Sequence, residues 1–93
     1  DLSGKYKMII LYCLMEYKTV RFNELQRYIK KISDKTLSQN LKELEKDQLI
    51  HREVYPQIPP KVEYSLTKRG QSLMKVLDRL CIWGEEHRDE KSL

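Results

Sequence analysis

The sequence predicts an α+β fold that is mainly α, and three observations support that class. Apolar residues recur at helical spacing in four segments, two of which form a helix-turn-helix between residues 22 and 47. A stretch of alternating polar and apolar residues follows, is interrupted by three prolines, and predicts a two-stranded hairpin at about 49–66. This order of elements is typical of a winged helix-turn-helix domain, in which one helix enters the DNA major groove beside a wing.

Length and composition fit a single globular domain over residues 1–93. The hydrophobic share of 40% argues against disorder. The longest apolar run, around residues 8–15, is too short to span a membrane, and no secretory leader is evident. We therefore expect a cytoplasmic protein with no membrane partner. Because Asp1 is not a usual start residue, we also expect further residues upstream.

The charge is unevenly distributed along the chain. The net charge is +4, yet residues 1–84 carry 16 basic and 10 acidic residues, and four acidic residues lie in the last nine positions. A basic body with an acidic tail suits contact with phosphate.

The two terminal helices are predicted at about 5–16 and 67–90, the second capped by Thr67. The first is apolar on most sides and must be buried, and the apolar stripe of the second is long enough to extend past the domain. Such stripes are readily buried against a twofold mate, so we expect a homodimer. The predicted dimerisation residues are Ile9, Ile10, Leu73, Val76, Leu77, Leu80 and Trp83.

The helix-turn-helix has clear local signals. Asn23 is the expected N-cap of a short helix that ends near Lys30, and residues 20–22 before it are too short for more than a single bridge. Ser33 is the expected N-cap of the second helix, which Gln48 ends. Helical spacing directs three leucines of this helix inward: Leu37, Leu41 and Leu44.

The outward face of the helix from Ser33 is the predicted DNA-reading surface. Gln and Asn pair bidentately with adenine, and Lys reaches guanine or phosphate. The hydroxyl groups of Ser and Thr can contact either bases or phosphate. The residues concerned are Lys35, Thr36, Ser38, Gln39, Asn40 and Lys42. The alternative for these side chains is simple solvation of an exposed helix.

Further DNA contacts are predicted outside that helix. Arg52 and Lys61 on the wing are expected to contact phosphate or the minor groove, Lys61 from the end of a stiff Pro-Pro segment that loses little entropy on docking. Arg21 and Asn23, at the entry of the short helix, are expected to anchor a backbone phosphate.

No residue set points to catalysis, a metal or a cofactor. His51 and His87 are isolated, and no nucleophile–base arrangement or phosphate-binding loop is evident, so we expect no enzyme activity. Cys13 and Cys81 lie in apolar helical runs without metal-ligand spacing, where an inert buried thiol is expected. A redox role for the pair is a hypothesis, tested by whether oxidant changes DNA affinity.

The chain resembles the HxlR family of bacterial regulators, which is itself similar to the broader MarR-type winged helices. The segments that carry the resemblance are Gly4–Lys7, Arg21–Leu25, Ile32–Leu37, Leu41–Asp47, His51–Tyr55, Pro59–Tyr64 and Leu66–Gly70. The resemblance implies a homodimeric transcription factor that binds a near-palindromic operator. Tyr6 stands where the family usually has Trp, and the Cys-Pro pair that many members carry ahead of this run is not among these 93 residues, so the resemblance implies no thiol-sensing role.

Two functions are therefore weighed. The first is a sequence-specific DNA-binding regulator whose partners are double-stranded DNA and a second copy, with any small-molecule or oxidant effector unidentified. The alternative is a winged helix used for protein contact, which predicts weak, sequence-blind DNA binding that salt abolishes.

Overall fold

The computed structural model describes residues 2–88 and the side chains from Lys5 onward. The elements are α1 (Leu2–Tyr17), β1 (Thr19–Arg21), α2 (Phe22–Tyr28), α3 (Asp34–Lys46), β2 (Ile50–Tyr55), β3 (Lys61–Leu66) and α4 (Lys68–Glu86). This arrangement confirms the predicted winged helix-turn-helix class. The last helix ends at Glu86 with His87 as its C-cap, so its predicted extension to about residue 90 was too long. The end of the acidic tail, from residue 89, lies outside the described residues. Within the described part, no helix is long and apolar enough to cross a membrane.

The three strands form one antiparallel sheet in the order β1-β3-β2. Tyr64 of β3 lies opposite Val20 of β1 on one side and Arg52 of β2 on the other. The expectation of a single bridge at β1 was too short, since three residues pair there. Val20 is buried in the core, and this burial holds the short strand against β3.

The core lies where α1, α3, β3 and α4 meet. Leu37, Leu41 and Leu44 of α3 are buried as predicted, and they share one apolar cluster with Ile10 of α1 and Met74 of α4. Ile10 is fully buried within one protomer, so its predicted place on a dimer surface was wrong. α1 is apolar on most sides, and its own domain surrounds it. The spacing of apolar residues alone does not distinguish burial by the same domain from burial by a partner.

The helix N-termini follow the predicted caps in two of three cases. Ser33 Oγ accepts a hydrogen bond from Thr36 N at 3.1 Å, and Thr67 Oγ1 accepts one from Gly70 N at 3.0 Å. Asn23 is not a cap, because α2 already begins at Phe22. Arg21 is the capping residue there, and its backbone N–H donates to the Glu24 carboxylate at 2.9 Å.

The end of α3, the start of β2 and the start of α4 meet at residues 48, 49, 67 and 70, here called the helix junction. Gln48 adopts the left-handed conformation (φ 61°) that ends a helix, as its position predicted. Thr67 Oγ1 donates to Gln48 O at 2.7 Å, and Thr67 N donates to Leu49 O at 3.1 Å. A Cβ atom on Gly70 would overlap Leu49 O and lie 3.1 Å from its carbonyl carbon. The junction therefore requires glycine at position 70.

We predict that Gly70→Ala destabilises the fold, because the added methyl group meets backbone that other hydrogen bonds hold in place. The expected loss in free energy of unfolding is about 1–3 kcal/mol, measured by chemical denaturation. The matched control is Gly84→Ala in the same helix, where an added Cβ meets nothing within 4 Å. That change is expected to stabilise by about 0.5–1 kcal/mol. Equal effects of the two substitutions would contradict the junction geometry.

Candidate nucleic-acid interface

The exposed face of α3 lies opposite its buried leucines and carries lysines, with the exposed carboxylates of Asp34 and Glu45 beside them. Lys35, Gln39 and Lys42 are exposed, and Lys46 continues the same face one turn beyond Lys42. Thr36 and Ser38, on the two flanks, are half-buried. Lys46 was missed by the sequence reasoning, although its spacing of seven residues from Gln39 is the signal that places it on this face.

Asn40 does not belong to the exposed face, and its predicted outward orientation was wrong. Its side chain is 2% exposed, and its Nδ2 donates to Thr36 O at 2.7 Å. Its Oδ1 is buried and has no hydrogen-bond partner among the described residues. The position lies three residues after Leu37 and four before Leu44, which turns it toward the core side of the helix. The prediction gave more weight to the polar type of Asn40 than to its helical spacing, and it therefore placed the residue on the surface.

A groove of about 340 Å³ separates α3 from the wing. It brings together three of the predicted DNA contacts, because Ser38 and Lys42 line it from α3 and Arg52 lines it from β2. The alternating burial predicted for the wing does not hold in β2, where residues 51–55 are all exposed. The hairpin projects beyond the core, so both of its faces reach solvent there.

Lys61 is engaged within the wing instead of standing free at its tip. Its Nζ lies 3.2 Å from Glu63 Oε2 and 5.1 Å from the centre of the Tyr55 ring. Glu63 is paired across the strands with Glu53, so the Lys61 ammonium offsets two facing carboxylates. The Glu63 carboxylate, followed by burial, raises the pKa of Tyr55 above its ordinary value. The tip itself presents Gln57 and the fully exposed Ile58.

Arg21 and Asn23 lie together at the start of α2. Both are exposed, and they line one depression with Glu24 and Arg27. Arg27 was not predicted as a contact, although its spacing of four residues from Asn23 places both on one side of a helix. The Glu24 carboxylate, which accepts from Arg21 N, lowers the net positive charge of this patch.

An ion pair ties the flank of α3 to α1. Lys7 Nζ lies 2.6 Å from Glu43 Oε1, and Gln39 Nε2 donates to Glu43 Oε2 at 3.3 Å. The Lys7 hydrogen bond first, and then the Gln39 hydrogen bond, lower the pKa of the Glu43 carboxyl. Glu43 is therefore ionised at neutral pH.

The outer part of α4 exposes large apolar side chains. Trp83 is 48% exposed and Leu80 is 59% exposed, and Val76 and Ile82 are exposed to a similar extent. Of the other predicted dimerisation residues, Ile9, Leu73 and Leu77 are half-buried. Ile82 was not predicted, because the sequence reasoning followed one stripe of the helix.

The two thiols differ in their surroundings. Cys13 is half-buried, and burial raises its thiol pKa. Cys81 is exposed, so the expectation of a buried thiol was wrong there. Its Sγ lies 3.5 Å from Tyr12 Oη. Across residues 2–88 no group of three His, Cys, Asp or Glu residues is placed to hold a metal ion.

An exposed polar helix beside a projecting hairpin, with a second helix packed behind it, defines a winged helix-turn-helix protein. The model of the HxlR-like helix-turn-helix family matches residues 1–92. The chain belongs to this family.

Individual proteins agree with that assignment. The chain is 51% identical over 88 residues to BH0655 of Halalkalibacterium halodurans, covering 95% of this chain and 78% of that one. It is 46% identical over 85 residues to a protein of Methanothermobacter thermautotrophicus, covering 91% of this chain and 64% of that one. Both relatives are described as uncharacterised HTH-type transcriptional regulators.

A solved structure from Enterococcus faecalis V583 is similar throughout. It superposes with a TM-score of 0.89 at 40% identity, covering 96% of this chain and 80% of that one. That protein is described as a transcriptional regulator of the MarR family.

We predict that a carboxylate is tolerated at position 39 and not at position 40. Asn40→Asp places a charge at a buried site and is expected to lower the free energy of unfolding by at least about 2 kcal/mol at pH 7. The control Gln39→Glu, on the exposed face, replaces a hydrogen bond to Glu43 by a solvated pair of like charges, and is expected to lower it by less than about 1 kcal/mol. Urea denaturation measures both.

The pH dependence of the Asn40→Asp variant provides a second check. Burial raises the pKa of a carboxyl group, so the neutral form is tolerated at low pH and the penalty grows as pH rises above the unfolded value of about 3.9. The deficit relative to the parent chain should therefore shrink between pH 7 and pH 4. A deficit that is independent of pH would contradict the burial of this side chain.

Proposed function

We propose that this chain is a homodimeric transcriptional regulator that binds double-stranded DNA and reads a near-palindromic operator. The observation that carries the proposal is the exposed polar face of α3 with Lys35, Gln39 and Lys42, which lies beside a groove shared with the wing. An α-helix fits the major groove of B-DNA, and a wing beside it reaches the adjacent backbone. Family membership supports the same function, because the relatives are described as transcriptional regulators.

The residues of this interface take two roles in the proposal. Lys35 and Gln39, which are exposed on α3, contact base edges, with Ser38 and Thr36 on the flanks. Lys42 and Arg52 converge from the two sides of the groove and contact the phosphate backbone. Arg21 and Asn23 anchor a second phosphate at the start of α2. Lys61 contributes only if it leaves Glu63, so its predicted contact with DNA is secondary.

The apolar surface of α4 is proposed as the dimer interface. The chain is elongated, with a longest dimension of 56 Å and a radius of gyration of 15.1 Å. A compact domain of this length would have a radius of about 12 Å. The projecting helix exposes Val76, Leu80, Ile82 and Trp83, and a surface of this kind is buried by a partner in stable proteins. A twofold pair also places two copies of α3 on successive turns of a palindromic site.

We predict that Gln39→Ala and Lys42→Ala have different effects on DNA binding. Gln39→Ala should reduce discrimination at one base pair by about 1–3 kcal/mol, because a bidentate base contact is lost. Lys42→Ala should weaken all sequences alike and reduce the slope of log K against log salt by about 0.9 per phosphate contact. Fluorescence anisotropy on operator and scrambled duplexes over a range of salt measures both.

If both variants lose affinity equally on every duplex, the result would favour a surface that binds DNA without regard to sequence. Binding of the parent chain that is weak on every duplex and abolished by salt would favour the use of this winged helix for protein contact.

We predict that Leu80→Glu converts the protein to a monomer, because a charge at the centre of the apolar surface opposes its burial. Ile58→Glu is the matched control, since it makes the same chemical change at a fully exposed position on the wing. Sedimentation velocity without DNA measures the oligomeric state. A dimer that survives Leu80→Glu would exclude this face of α4 as the interface.

A further inference from the structure

Glu43 links α1 to the base-reading face of α3. One carboxylate oxygen, Oε1, is 2.6 Å from Lys7 Nζ, and the other, Oε2, accepts from Gln39 Nε2 at 3.3 Å. Lys7 belongs to α1, which packs in the core through Ile10 and Leu14. The chain of contacts therefore runs from a buried helix to an exposed side chain.

Glu43 carries a negative charge beside the proposed DNA-reading face of α3. A carboxylate on the flank of a DNA-facing helix repels phosphate, and this cost is reduced when the carboxylate is neutralised by a cation. Lys7 supplies that cation at 2.6 Å, and this contact favours the ionised form of the Glu43 carboxyl group. An ionised carboxylate accepts hydrogen bonds and donates none.

This property fixes which way the Gln39 amide points. A glutamine amide has one acceptor oxygen and one NH₂ group with two donors. Only the NH₂ group can face Glu43, so the amide is held in one of its two flip states. One N–H is used in that contact, and the second N–H and the carbonyl oxygen remain. Those two groups match N7 and the N6 amino group of adenine in the major groove.

We propose that Glu43, anchored by Lys7, is a positioning residue that presets the Gln39 amide for adenine and so determines base preference at one operator position. The proposal rests on the proposed DNA-reading function of α3, and it adds that α1 takes part in specificity without touching DNA. Holding the amide before binding lowers the entropy cost of the contact.

Glu43→Gln tests the proposal, because it keeps the shape of the side chain and removes the charge. A neutral amide offers Gln39 either a donor or an acceptor, so the flip state is no longer fixed. The base pair read by Gln39 is first identified as the position at which Gln39→Ala loses preference. At that pair, Glu43→Gln should reduce the preference for adenine by about tenfold, measured by competition among duplexes that carry each of the four base pairs.

Glu45→Gln is the matched control for charge. It removes an acidic group two residues further along the same helix, at an exposed position on the wing side. It should raise affinity for all duplexes alike, because phosphate repulsion falls. It should leave preference at the Gln39 position unchanged.

The Lys7 variants separate positioning from a merely structural role and provide a test that does not alter α3. Lys7→Met should reduce adenine preference in the same direction as Glu43→Gln, and Lys7→Arg should retain it, because a guanidinium also pairs with the carboxylate. Thermal unfolding followed by circular dichroism establishes that each variant is folded.

Two results have distinct meanings. If the parent chain discriminates among base pairs and both Glu43→Gln and Lys7→Met leave adenine preference at the Gln39 position intact, the positioning role is wrong and the DNA-reading function stands. If the parent chain shows no preference at any base pair, the proposed function fails, and the positioning role fails with it.

Discussion

The backbone of residues 48 and 49 fixes α3, the wing and α4 to one another. Gln48 ends α3 in a left-handed conformation, and Thr67 donates to Gln48 O and Leu49 O through its side chain and backbone. Gly70 allows α4 to approach that backbone more closely than any other residue would. Three elements that are separate in sequence therefore have one fixed relative orientation, and the placement of the DNA-facing groups depends on it.

A fixed orientation matters because the proposed function is geometric. Base edges are read within hydrogen-bond distance, so a helix that rocks relative to its dimer partner loses register on a two-part site. The junction connects the exposed face of α3 to the apolar face of α4 through a few backbone hydrogen bonds, and the Lys7–Glu43 pair adds a second connection through α1. In the proposed function, specificity depends on the helix junction and the Lys7–Glu43 pair, which hold α3 in place, as much as on the exposed side chains of α3.

Local signals in the sequence predicted the fold class and most element ends, because capping is decided by a few neighbouring residues. Ser33 and Thr67 are examples, and each accepts the expected backbone N–H. Errors arose where tertiary contacts decide. Ile10 is enclosed by its own domain, and Cys81 is exposed although it lies in an apolar helical run. A single sequence gives residue type and spacing, but not these neighbours.

Selection of bound fragments from randomised duplex DNA by the purified protein at physiological salt is the most direct test of the central claim. A rigid dimer that presents two copies of α3 should enrich an inverted repeat, with half-sites separated by about one helical turn. Enrichment of single half-sites without a partner would contradict the dimeric arrangement. No enrichment at all, with binding that disappears as salt rises, would contradict sequence reading by α3.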